Sequence, residues 1–168
     1  MLHKAARVLS ASMLLSVGLT TSVLALEMRP TILLELAERM ANACEAKAKQ
    51  EGWNLSIAVV DAGADLVLFR RMPNAHLASI DIALDKARSS ARLPLPTRNI
   101  AEIVYGQDGK GGRTPGLAHV EGLMAFPGGL PIKAGDTLVG AIGISGATGD
   151  QDEECAQVAI DTIAEDLN

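Results

Sequence analysis

Four cationic side chains lie close together in the middle of the chain and could bind an anionic ligand. Lys86, Arg88, Arg92 and Arg98 fall within thirteen residues, and such side chains form charge-assisted hydrogen bonds with carboxylates. Lys86 lies off the charged stripe of its predicted helix, so it is the cation that we place in a candidate pocket. For the others the alternative is a solvated surface, because Asp85 and Arg88 have the spacing of a helical surface pair.

Histidine is the second residue type that could carry chemistry. His76 lies at the start of a predicted helix and His119 lies in a glycine-rich segment, so either imidazole could reach a metal or act as an acid or base. The alternative for both is a solvated surface position. Weaker candidate ligands are Met72, Met124 and Tyr105.

Glycines recur at every third position near the end of the chain, at Gly140, Gly143, Gly146 and Gly149. They allow close approach to the backbone of a β-branched, apolar strand. The turn over 145–149 could offer backbone N–H groups to an anion. Acidic residues follow it directly, however, so a tight connection between a strand and a helix is the alternative.

The elements that must position these residues follow from periodicity and from turn residues. In chain order, the predicted elements are a helix over 31–50, strands over 55–61 and 66–71, a helix after Pro73, a short helix over 97–105, strands over 123–126, 130–133 and 137–145, and a final helix opened by an Asp150 cap. Six glycines between 106 and 122 predict a loop there. This order predicts an α/β (α+β) domain with an antiparallel sheet of about five strands flanked by helices.

The helix after Pro73 has a clear apolar stripe that is expected to face the core. The stripe consists of Leu77, Ile80, Leu84, Ala87 and Ala91. The opposite side carries Asp81, Asp85, Arg88 and Arg92 and is expected to face solvent.

The two cysteines, Cys44 and Cys155, lie in the predicted first and last helices. A bridge between them would close a long loop and stabilise the fold by about 4 to 5 kcal/mol in the chain-entropy model. Two buried free thiols are the alternative, because spacing alone does not show whether the two Cα atoms approach each other.

The first 25 residues have the pattern of an export signal, with a basic start, an apolar run and Val23-Leu24-Ala25 before the predicted cleavage. We therefore predict a signal peptide over 1–25, a single domain over 26–168, and a periplasmic or secreted location. The formal charge is −5, and loss of Lys4 and Arg7 with the signal peptide makes it −7. This charge disfavours a nucleic-acid partner and favours a small molecule or a protein.

Four sequence blocks resemble the GlcG/HbpS family of haem-binding proteins. In chain order they are Ser56-Ile-Ala-Val-Val-Asp-Ala-Gly, Ala78-Ser-Ile-Asp-Ile-Ala-Leu-Asp-Lys-Ala, Gly128-Gly-Leu-Pro-Ile, and Val139-Gly-Ala-Ile-Gly-Ile-Ser-Gly-Ala with Asp152-Glu-Glu after it. The resemblance covers nearly all of 31–168. It implies a profilin-like fold, assembly into homo-oligomers, non-covalent haem in some members, and a membrane sensor protein as a partner of one member.

On this resemblance we place a haem pocket between the helix that starts near His76, the Gly128-Gly-Leu-Pro-Ile block and the loop that carries His119. Gly128 and Gly129, followed by Pro131, would let a flat ligand approach the backbone, and Lys86 would meet a carboxylate of the ligand. Covalent haem attachment is excluded because no Cys-x-x-Cys-His occurs.

The leading interpretation is an exported, oligomeric haem-binding or haem-sensing protein. Two other interpretations stay open. One is an enzyme that acts on a small carboxylated molecule, with Lys86 or His119 as acid or base. The other is an accessory or stabilising subunit without a cofactor.

Overall fold

A computed structural model describes residues 29–107 and 110–168. The predicted signal peptide lies outside the described residues. The elements are α1 (Leu34–Glu51), β1 (Ser56–Asp61), β2 (Leu66–Arg71), α2 (Ser79–Arg92), α3 (Thr97–Tyr105), β3 (Gly129–Ala134), β4 (Thr137–Ser145) and α4 (Gly149–Asp161), with short 3-10 turns at Pro115–His119 and Ala164–Leu167. No helix in the described part of the chain is long and apolar enough to cross a membrane.

The four strands form one antiparallel sheet in the order β2-β1-β4-β3. The predicted α+β class is confirmed, but the number of strands is four rather than about five. The segment 123–126, predicted as a strand, is irregular. Its Met124 N–H donates to Ser89 Oγ of α2, and its Ala125 packs with Ile100 and Val104 of α3. The segment is therefore bound to the helices and does not extend the sheet.

Helices α1 and α4 cover one face of the sheet and enclose the main hydrophobic core. Ile57 and Val59 of β1 and Ile142 and Ile144 of β4 all point into this core, as expected for alternate residues of a strand. The two helices are joined by a disulfide between Cys44 and Cys155, whose Cα atoms lie 5.0 Å apart. Of the two alternatives for the cysteines, the structure has the bridge.

Helix α2 packs on the opposite face at unusually short range. A Cβ atom at Gly143 of β4 would lie 2.1 Å from the carbonyl oxygen of Ala83, which is too close for any side chain. Alanines fill the contact on both sides, and Ala58, Ala83, Ala87 and Ala141 are fully buried. Only small side chains fit between the helix and the sheet.

This close packing corrects the predicted orientation of α2. Ala87 and Ala91 are buried as expected, but Leu77 is 74% exposed and Ile80 and Leu84 are only half-buried. The larger apolar residues of the stripe are displaced outward because the alanines occupy the narrow space against the sheet.

The cap of α4 also differs from the prediction. The helix is capped by Thr148, whose Oγ1 accepts from the Gln151 N–H while the Gln151 side chain accepts from the Thr148 N–H. This reciprocal pair is a capping box. Asp150 lies within the first turn and is not the cap.

Candidate functional site

The Lys86 side chain is fully buried and reaches from α2 to the end of the sheet. Its Nζ donates to Asp152 Oδ2 of α4 at 2.8 Å and to the carbonyl oxygen of Ile144 at 2.9 Å. Asp152 is itself 2% exposed, and its Oδ1 accepts from the Ala147 N–H at 3.1 Å. The pair thus connects the two helices that lie on opposite faces of the sheet.

Gly128 and Gly129 leave the space in which this lysine lies. A Cβ at Gly128 would stand 2.6 Å from Lys86 Nζ, and one at Gly129 would stand 2.6 Å from the carbonyl oxygen of Lys86 and 2.7 Å from Thr97 Cγ2. The two glycines therefore accommodate the protein's own α2 and α3 in this structure. The ring of Phe126 closes the site from outside, with its centroid 4.7 Å from Nζ, a cation–π distance.

Pro131, which was predicted to border the pocket, lies on β3, opposite Ala141 of β4. Because β3 is an edge strand, a residue without an N–H is tolerated there. Pro131 is half-buried.

Burial and mutual attraction act in opposite directions on the ion pair. Desolvation lowers the pKa of Lys86 and raises the pKa of Asp152, because each charged form loses its hydration. The attraction between the two groups opposes both shifts. Lys86 could meet a ligand carboxylate only by leaving Asp152, and Asp152 would then remain as an unpaired buried acid.

The four clustered cations have three different environments. Lys86 is paired internally, whereas Arg98 of α3 bonds Asp150 at 2.6 Å and Glu153 at 3.0 Å. The remaining two, Arg88 and Arg92, line a surface cavity of about 490 Å³ together with Asp85, Glu121 and Gly122. The expected surface pair of Asp85 with Arg88 is not among the ion pairs of the described residues.

His76 is exposed and precedes α2. Its Nδ1 accepts the backbone N–H of Ser79 at 3.1 Å, so the imidazole acts as a cap for the helix. When the ring is protonated, its positive charge lowers the pKa of Asp152, although this is the smallest of the influences on that carboxyl. Because Nδ1 accepts a hydrogen bond, the neutral ring carries its proton on Nε2.

His119 lies at the end of the 3-10 turn and is exposed. No side-chain hydrogen bond holds it within the described segments, so neither ring nitrogen is paired with another described residue. Neither a hydrogen bond nor an ion pair of the described residues joins His119 to His76 or to Lys86. The structure thus brings together Lys86, Gly128 and Gly129, with His76 acting on the same ion pair from the start of α2.

Two important residues of this region, Asp152 and Phe126, were missed by the sequence analysis. Asp152 belongs to an acidic run that was interpreted as helix-terminal charge. The available signal was Lys86 itself, because a lysine on the same helix face as Ser79, Ala83 and Ser90 is expected to be buried and to need a counter-charge.

No group of three or more histidine, cysteine, aspartate or glutamate side chains is placed to hold a metal ion in 29–107 and 110–168. A metal bound directly by a cluster of such side chains is therefore not a feature of the described residues.

Comparison with known protein families gives one match that covers most of the chain. The family described as "Haem degrading protein HbpS-like" matches residues 32–161. The chain belongs to this HbpS-like family. The predicted family is confirmed.

Relatives of this HbpS-like chain include two bacterial proteins. An uncharacterized 15.0 kDa protein from the dhaT-dhaS intergenic region of Citrobacter freundii is 36% identical and aligns with 80% of this chain and 94% of its own length. Protein GlcG of Escherichia coli is 31% identical over 66% of this chain and 81% of its own.

Solved structures agree with the fold. A double mutant of HbpS from Streptomyces reticuli has a TM-score of 0.77 at 27% identity and covers 88% of this chain and 97% of its own. A complex of PduOC with haem has a TM-score of 0.72 at 28% identity and covers 79% of this chain and 95% of its own.

Proposed function

We propose that this protein binds haem non-covalently and acts as a haem-binding or haem-sensing protein. The observation that carries the proposal is the similarity of the whole fold, at 28% identity, to a protein solved as a haem complex. The family description, which names haem, supports it.

The donor chemistry of the chain fits haem at one of its histidines. An axial ligand must offer a free imidazole nitrogen, and haem needs apolar surface around it. His119 has both nitrogens free, and the adjacent Val120 is 51% exposed. His76 also has an exposed apolar neighbour in Leu77, but ligation through its Nε2 would move the proton to Nδ1 and break the cap to Ser79. His119 is therefore the preferred ligand, and bound haem would supply the redox chemistry of its iron.

The junction of α2 and β3 remains a second predicted contact for the ligand. Pro131 would border it, and His76 would lie at its edge. Gly128 and Gly129 would border it only after Lys86 and Thr97 move, because these residues fill the space beside the two glycines. Lys86 would contribute only after it releases Asp152, so its effect on haem binding is expected to be indirect.

Titration with haem tests the proposal. Wild-type protein is expected to give a saturable Soret band, and His119→Ala is expected to shift that band and weaken binding by about tenfold or more, which is about 1.4 kcal/mol. His76→Asn is the matched control, because asparagine can still cap α2, and its spectrum should equal that of the wild type. The absence of a saturable Soret band in the wild type would refute haem binding. A normal spectrum in His119→Ala would refute His119 as the ligand.

We further propose that the protein is exported and self-associates. The Cys44–Cys155 bridge supports export, because structural disulfides persist mainly in oxidising compartments. The resemblance to a family of oligomeric proteins supports self-association.

Intact-mass measurement of protein recovered from the periplasm or medium is expected to show a chain that begins at Leu26. The mass should be about 2 Da lower than that of the dithiol form, because formation of the bridge removes a hydrogen from each thiol. Recovery of a chain that retains residues 1–25 would contradict the predicted cleavage.

A further inference from the structure

The outward side of α2 carries two half-buried apolar side chains, and an exposed leucine, Leu77, lies directly before the helix. We define the outer face of α2 as Leu77, which directly precedes the helix, and Ile80, Asp81, Leu84, Asp85, Arg88 and Arg92. Leu77 is 74% exposed, and Leu84 is half-buried together with Phe69 of β2 against the alanine cluster beneath the helix. Leu77 is therefore the apolar side chain that a partner on this face would cover.

Charge on this face is arranged by position along the helix. Asp81 and Asp85 occupy its first half, and Arg88 and Arg92 occupy its second half. Within the described residues none of the four side chains makes an ion pair, although Arg39, Arg70 and Arg98 elsewhere in the domain all do. An acidic half followed by a basic half is complementary to its own antiparallel copy.

We propose that the outer face of α2 docks against the same face of a second copy of this chain, with the two helices antiparallel. A twofold axis that crosses the helix between Leu84 and Asp85 places Asp81 opposite the partner's Arg88 and Arg88 opposite the partner's Asp81. Such an isologous contact uses one patch twice. A parallel arrangement would place acid against acid and base against base, and it would also align the two helix dipoles unfavourably.

The surface cavity beside the basic half fits the same arrangement. It is lined by Asp85, Arg88, Arg92, Glu121 and Gly122 and has a volume of about 490 Å³. The antiparallel arrangement brings the partner's Leu77 and Asp81 to this cavity. The partner's Asp81 then faces the guanidinium groups of Arg88 and Arg92, which share the cavity with the carboxylates of Asp85 and Glu121.

The docking surface rests on the proposed self-association and is independent of haem binding. Charge exchange tests it, because Asp81 and Arg88 are seven positions apart and are not partners within one helix. In sedimentation velocity over a range of concentrations, Asp81→Arg and Arg88→Asp are each expected to weaken self-association by about tenfold or more. The double variant Asp81→Arg/Arg88→Asp restores both ion pairs across the interface and is expected to self-associate like the wild type.

An apolar substitution provides the second arm of the experiment. Leu77→Glu should also dissociate the assembly, and it should leave the fold intact because the side chain is exposed. Leu33→Glu is the matched control, since Leu33 is 65% exposed at the start of α1, on the other face of the sheet. Circular dichroism and thermal unfolding verify the fold of each variant.

A monomeric wild type would refute self-association and this interface together. An associated wild type whose single variants remain associated, or whose double variant is not rescued, would refute this interface alone. Haem titration of the same variants reports on the haem proposal separately.

Discussion

Reduction of the Cys44–Cys155 bridge is expected to lower the free energy of unfolding by about 4 to 5 kcal/mol in the chain-entropy model. The two half-cystines are 111 residues apart in sequence, so the bridge closes most of the described chain into one loop. Without it, the unfolded chain gains conformational freedom that the folded protein does not share. Both residues are fully buried between α1 and α4, so the bridge also fixes the packing of these two helices.

Urea unfolding of oxidised and reduced wild-type protein measures this contribution. The reduced form keeps both side chains, so a lower midpoint reports the loss of the crosslink rather than of packing. The variant Cys44→Ala/Cys155→Ala should unfold at a similar or slightly lower urea concentration, because it also loses buried sulfur atoms. Equal midpoints for oxidised and reduced protein would show that the bridge does not stabilise the fold.

Lys86→Met is expected to destabilise the protein by about 3 to 5 kcal/mol, the usual cost of removing one partner of a buried ion pair. Methionine fits the volume of the lysine stem, but it leaves Asp152 buried without a cation. This loss of stability would distinguish Lys86 from a ligand-binding lysine on a surface, whose removal would change ligand affinity and hardly change stability.

The effect of Lys86→Met should depend on pH. With no cation beside it, Asp152 is expected to have a folded-state pKa above its unfolded value of about 3.9. A raised pKa means that the folded state binds the proton more tightly, so stability is lost as pH rises through the folded pKa. The difference in unfolding free energy between Lys86→Met and the wild type should therefore shrink as pH falls from 7 toward 4.

Two further variants show whether burial is the cause. Lys49→Met removes a lysine that is 66% exposed and pairs with Glu45 at 2.7 Å, and it should cost less than about 1 kcal/mol. The double variant Lys86→Met/Asp152→Asn leaves no unpaired charge in the core, so it should unfold at a higher denaturant concentration than Lys86→Met. If Lys86→Met were no more destabilising than Lys49→Met, the buried pair would not hold the two helices together.

Local sequence signals were sufficient for the elements that depend on local interactions. Periodicity predicted a helix over 31–50, and the structure has α1, which ends at Glu51 with Gly52 in the left-handed conformation. Strands β1 and β2 also pair as predicted, because the short turn between Asp61 and Asp65 brings residues that are close in sequence into contact. Family blocks spread over the chain predicted the fold class.

The predicted number of strands and the predicted cap of α4 both differ from the structure, because each depends on competition between nearby residues. The segment 123–126 has strand-like residues, but α2 and α3 provide its hydrogen bond and its packing. The prediction placed the cap of α4 at Asp150, but the backbone turn after Gly146 places Thr148 at the helix boundary.

The sequence by itself determined the family, the α+β class and the residues that can carry charge or bind a ligand. Only the tertiary structure decided which of them meet. Asp152 lies 66 residues beyond Lys86, and their contact depends on Gly128, where any Cβ would stand 2.6 Å from the lysine Nζ and clash with it. The orientation of α2 likewise depends on Gly143, since contact between the helix and the backbone of β4 leaves room for alanine and forces leucine outward. Periodicity records which residues share a helix face, but the distance between a helix and its sheet determines which face is buried.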